Sequence, residues 1–188
     1  MNKLTLAALL PLLCAFASSA ERANEDAERA ECARVMQKFP DARLIETLKT
    51  SGDFFIAVIK YNAVWGAFPN YIYVKQTNKP LEMGKVSVVY LDECKAAKIC
   101  GAIAKNISFE NPVEFISRGK TSIPAIFDEV VIYKSGKIKR IVLNQVSQNN
   151  ADIADLAPCG AFTLLRELAL ITGTHSMFES ICGVAPMP

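Results

Sequence analysis

Phe127-Asp128-Glu129-Val130-Val131-Ile132-Tyr133 and Ile138-Lys139-Arg140-Ile141-Val142-Leu143-Asn144-Gln145-Val146, separated by Lys134-Ser135-Gly136-Lys137, spell out a β-hairpin. Both runs are rich in β-branched residues, and Gly136 is free to take the positive φ that a tight turn demands. Val130 and Ile132 alternate with Glu129 and Val131, so Ile141 and Leu143 can face the first pair across the ladder.

Further strand candidates lie upstream. Phe54 to Tyr61 is a nearly continuous apolar run that reads as a buried strand. Tyr71 to Lys75 is a second, reached through a loop from Asn62 to Asn70. Lys85 to Leu91 and Val113 to Ser117 complete the set, with Thr77-Asn78-Lys79-Pro80 as turn chemistry between two of them. Helical periodicity marks residues 24–39, where Cys32, Val35, Met36 and Phe39 share a face and Asn24 can cap. Pro40 discourages extension of that helix, and Ala42 to Lys49 reads as a second, shorter one. Asp92 to Lys105 is a helix or a helix broken by a turn. A last helix runs from Cys159 or Gly160 to Thr172, is mostly apolar and ends at Gly173. This order predicts a single α+β domain over residues 21–188. Short connections favour a mainly antiparallel sheet of five or six strands, with the helices on one face.

Residues 1–20 have the anatomy of a cleaved leader: Lys3 near the start, an apolar run from Leu4 to Ala17, then Ser18-Ser19-Ala20 before Glu21. The run is shorter than the roughly 20 residues a membrane span needs, and no later stretch is long and apolar enough, so the expected mature chain has no transmembrane segment. The expected destination is the periplasm or the exterior. The chain holds 21 basic and 19 acidic residues. Removing Lys3 with the leader leaves 20 against 19, a net charge of +1. So even a balance gives no field for nucleic acid. Apolar residues make up 51% of the chain, which argues for a packed core.

Of six cysteines, Cys14 leaves with the leader. In an oxidising compartment the remaining five read first as disulfide partners. Cys159 with Cys182 would tie the C-terminal tail to the start of the last helix. Cys94 with Cys100 would close a small loop, provided that a turn breaks the helix between them; an unbroken helix separates them by about 9 Å along its axis, beyond bridging distance. Cys32 is then the odd cysteine, a free or intermolecular thiol.

Sites of chemistry are sparse. His175 is the only histidine, and the cysteines lack paired C-x-x-C spacing, so no metal set emerges. Cys159 at a helix N-terminus and His175 would lie at opposite ends of the last helix, too far apart for a thiol nucleophile and its base. Glu110, Glu114, Asp128 and Glu129 are carboxylates without a spacing that singles them out. Neither a phosphate-binding glycine loop nor a G-x-S-x-G element occurs, and no cofactor is implied. Lys134, Lys137, Lys139 and Arg140 read as a charged turn that discourages strand-edge association; an acidic partner or lipid headgroups are the alternative.

One stretch stands out. Residues 54–73 hold Phe54, Phe55, Tyr61, Trp65, Phe68, Tyr71 and Tyr73, seven of the sixteen aromatic residues. Trp65 and Phe68 fall in the loop and Tyr71 just beyond it. Such rings either fold back into the core or form a recognition surface. The leading expectation is an exported, non-catalytic binding protein that recognises a protein or envelope ligand through Trp65, Phe68 and Tyr71, in the manner of an inhibitor or immunity protein. A secreted or periplasmic hydrolase and a structural subunit of the cell envelope are the alternatives.

Overall fold

Two hairpins form the centre of the sheet. The computed structural model describes residues 23–38, 42–50, 52, 54–75, 86–117, 126–144 and 160–182. Strand β1 (Phe54–Asn62) turns into β2 (Gly66–Lys75), and β5 (Ile126–Lys134) turns through Ser135 and Gly136 into β6 (Lys137–Asn144). Val130 pairs with Ile141, the pairing the sequence predicts. The hairpins join through β1 and β5, antiparallel from Phe54–Lys134 to Asn62–Ile126. Two short strands flank this centre: β3 (Ser87–Leu91) lies parallel to β2, and β4 (Val113–Ser117) parallel to β6. The order is β3-β2-β1-β5-β6-β4.

The fold is α+β, and the sheet is mixed. Its three inner ladders are antiparallel and its two outer ones parallel. Strand β3 pairs with β2, the strand before it in sequence, but runs in the same direction. Strand β4 pairs with β6, not with β5, which follows it in sequence.

Five helices are described: α1 over 23–38, α2 (Ala42–Lys49), α3 (Glu93–Asn106), α4 (Gly160–Thr172) and α5 (His175–Cys182). The expectation that helices cover one face is corrected: they cover both. Phe54, Ile56 and Val58 of β1 point to a core closed by Ile99 and Ile103 of α3, Leu164, Leu165 and Leu168 of α4, and Met177 and Phe178 of α5. Phe55, Ala57, Ile59 and Tyr61 point to a second core closed by Cys32 and Val35 of α1 and Ile45 and Leu48 of α2. The physical reason is that β1 is apolar at successive positions, so both its faces need cover. Polar contacts fasten α1 to the sheet edge: Asn144 donates to the buried Glu28 carboxylate at 2.9 Å, and Arg29 lies over the Phe115 ring.

Three further corrections concern local structure. The loop expected from Asn62 to Asn70 is a turn of only Ala63, Val64 and Trp65, because β2 begins at Gly66. Helix α3 is continuous through Cys94 and Cys100; Asp92 caps its start by accepting from the Lys95 N–H at 2.8 Å, and Ala96, Ile99, Ala102 and Ile103 bury one face. His175 and Cys182 bound a fifth helix that the sequence reading leaves as tail. Its first turns rest on the sheet through hydroxyl contacts, Tyr71 with Ser176 and Tyr73 with Thr174, each at 2.8 Å. Burial chiefly, and the neighbouring Tyr71, push the Tyr73 phenol above its ordinary range, against the lowering effect of its bond to Thr174. The leader and Cys159 lie outside the described residues. No described helix is long and apolar enough to cross a membrane.

Helix α4 starts where α3 ends. A Cβ on Gly160 would drive into the backbone carbonyl of Asn106, so glycine is what allows this approach. Gly160→Ala is expected to destabilise the protein by about 1–3 kcal/mol, read as a lower urea midpoint, with the β1–β2 tip unaffected.

Candidate binding site at the β1–β2 tip

The turn joining β1 to β2 is organised by its first residue. The Asn62 side-chain oxygen accepts from the backbone N–H groups of Val64 (2.8 Å) and Trp65 (2.9 Å), the local bonding that makes asparagine a turn former. Gly66 closes the turn at φ 115°, a backbone state that other residues rarely adopt. These bonds occupy two N–H groups inside the turn and leave the side chains of Val64 and Trp65 facing solvent. Val64 is 75% exposed and Trp65 77%. Of the two readings of the aromatic loop, a ring folded back into the core does not describe Trp65.

Below the turn, β2 carries a bulge. Val58 pairs with Tyr71 but Ile59 with Pro69, so Asn70 is the extra residue. Among the described residues, the strand from Gly66 to Asn70 is paired only on its β1 side, because β3 begins its ladder at Tyr71. That open edge tolerates Pro69, which has no N–H to donate. Phe68 lies beside the bulge, opposite Lys60, and is 49% exposed. On the other side of β1, Asn62 pairs with Ile126, which is 50% exposed. Phe68 and Ile126 share the face of the sheet that carries α5, on either side of Lys60 and Asn62 of β1, and Val64 and Trp65 follow in the turn; these four are the exposed apolar side chains at this end of the sheet.

Tyr71 does not join them. Its hydroxyl is bonded to Ser176 and its ring lies alongside Tyr73 at 6.3 Å, so it seats α5 instead. Ile126 and Val64 are the tip residues that sequence reasoning misses. Val64 sits within the loop already singled out. Ile126 is brought there by the pairing of β1 with β5, which no local pattern announces.

The charged candidates take structural places. Glu129 is fully buried among the α1/α2 core, yet it holds the Arg140 guanidinium through Nε and through Nη2 at 3.0 Å, and accepts from the Tyr61 hydroxyl at 3.1 Å. Tyr61 in turn stacks on Phe127 at 4.9 Å. Lys139, on the opposite face, is buried between Glu114 Oε2 (2.8 Å) and the Asn111 carbonyl (2.9 Å). Lys134 donates to the Cys100 carbonyl at 3.2 Å. The expected basic turn therefore does not form one patch; strand alternation sends these cations to both faces and into separate contacts. Next to the tip, Lys60 donates to Ser180 at 3.1 Å and lies 3.9 Å from the buried Asp128 carboxylate.

Among the described residues no group of three or more His, Cys, Asp or Glu side chains is placed to hold a metal. Cys94 and Cys100 carry free thiols, which corrects their expected bridge: the unbroken α3 holds them too far apart. Cys32 is also a free thiol, but it is buried against Val35 in the second core, so in the folded chain it is not open to a partner molecule. Burial first, and the nearby Glu28 and Glu31 charges after it, push its pKa up to about 12. The expected partner of Cys182, Cys159, is outside the described residues. No family model matches this chain, and neither a curated protein nor a solved structure does.

Two outcomes follow from the thiols and the buried acid. Burial keeps the Cys32 thiol protonated and sealed in the core, so maleimide mass mapping should label exposed Cys94 first and Cys32 only after unfolding. Arg140→Met removes the countercharge of a buried carboxylate and should destabilise the fold by about 3–5 kcal/mol. The double change Glu129→Leu with Arg140→Met should recover much of that loss in the same denaturation experiment.

Proposed function

We propose that this chain is an exported, non-catalytic binding protein that recognises a protein or envelope ligand through the β1–β2 tip. The observation that carries the reading is the exposure of Trp65 on a turn locked by its own asparagine. An exposed tryptophan gains a large contact area when a partner covers it, and a turn that is already ordered loses little freedom on binding. Val64, Phe68 and Ile126 enlarge the apolar surface around it. Glu129, Arg140, Asp128, Glu114 and Lys139 sit in paired contacts away from this surface or beneath it, which favours recognition over hydrolysis as its use.

Trp65 is the only tryptophan, so its fluorescence reads the tip without interference. Purified protein should emit at the long wavelength of a solvated indole. Pull-down from an envelope extract should recover a partner, and Trp65→Ala with Phe68→Ala should weaken its capture by about thirtyfold or more. Undiminished capture by the double variant would remove the tip from the model.

A further inference from the structure

We propose that the partner of the tip is a lipid bilayer surface, entered to the depth of the headgroup and acyl boundary by Val64 and Trp65; this rests on the reading of the tip as the binding element. Three observations select a membrane over a protein pocket. The first is size. The apolar surface of the tip is confined to four side chains, Val64, Trp65, Phe68 and Ile126, small beside the about 800 Å² that each partner of a stable protein complex contributes, polar rim included. A bilayer asks for no such matched area; shallow burial of a few apolar groups suffices for reversible attachment.

The second is shape. The exposed residues lie at and beside a turn whose β2 side has, among the described residues, no neighbouring strand from Gly66 to Asn70. A convex apolar tip enters a fluid surface without needing a complementary cavity. Trp65 lies at its end, and tryptophan favours the headgroup level because its ring is apolar while its N–H seeks a polar partner.

The third is charge. Residues 62–70, which form the tip, contain no charged side chain, so no acid of the tip itself must be desolvated or brought against lipid phosphate. Across the sheet, Asp128 is buried and lies 3.9 Å from Lys60. Lys60, directly opposite Phe68 and held by Ser180 and Asp128, is the one charged side chain of β1 beside the apolar end.

The test uses the purified protein and two kinds of vesicle, phosphatidylcholine alone and phosphatidylcholine mixed with phosphatidylglycerol. Both should sediment the protein and shift Trp65 emission to shorter wavelength, and lipid brominated near the headgroup should quench it more than lipid brominated near the chain end. Val64→Ser with Phe68→Ser keeps the reporter and should bind about tenfold more weakly at an unchanged thermal midpoint. Val64→Ser alone, at a position 75% exposed, gives the same reading should the double variant prove unstable. Unmoved emission at saturating lipid, binding that survives these changes, or attachment only to the anionic vesicles that salt abolishes would each overturn the proposal. If vesicles leave Trp65 unmoved while tip-dependent capture from envelope extract persists, the lipid inference falls and the binding reading stands. If both fail, both fall.

Discussion

Strand β1 is the constraint on which the rest of the molecule depends. Its residues from Phe54 to Ile59 are apolar without interruption and all are buried. A strand points alternate side chains to opposite faces, so such a run cannot rest at a water-facing surface. It needs apolar cover above and below, and it needs strands on both edges for its backbone. Beta2 and β5 supply the edges, α3, α4 and α5 one cover, and α1 and α2 the other. Two hydrophobic cores on one sheet are the consequence of this one segment.

That consequence was available in the sequence, and it outweighs the argument from short connections. Elements whose signal is local were legible: the β5–β6 turn at Ser135-Gly136, the end of α4 at Gly173, the β1 run itself. What depended on long-range partners was not. Beta3 and β4 look like ordinary short strands, and nothing in Val113 to Ser117 says that its neighbour is β6 rather than β5. Helix α5 was hidden for a related reason. Its eight residues have weak helical signals, and it is held by hydroxyl contacts to Tyr71 and Tyr73 that exist only once the sheet has formed. Helix α3 is continuous because the helix formers between Cys94 and Cys100 outweigh the pairing that two nearby cysteines suggest.

The same division runs through the site. Trp65 and Phe68 were legible because aromatic residues flanked by turn residues stand out in any window. Tyr71 was grouped with them by nearness in sequence, but the bulge at Asn70 places it in the ladder beneath α5. The charged residues show the converse. Glu129 and Arg140 are eleven apart and look like members of a solvated face, yet both strands' odd-even alternation directs them to the same core. There a buried carboxylate is tolerable only with a cation and hydrogen-bond donors at hand, which Arg140 and Tyr61 provide.

The tip and the core are mechanically one element. Asn62, whose side chain shapes the turn, is the last residue of β1, and it is paired on one side with Gly66 and on the other with Ile126. Two residues before it, Lys60 is braced against Ser180 and faces Asp128; one residue before it, Tyr61 stacks on Phe127 and donates to Glu129. The base of the turn is therefore fixed from both faces of the sheet. Exposed aromatic residues on a slack loop would collapse onto the nearest apolar surface and lose contact area before a partner arrived. On this base they cannot, because the strand that would have to bend is the one most deeply buried. The presentation of Trp65 to solvent is a product of the same packing that holds the fold together.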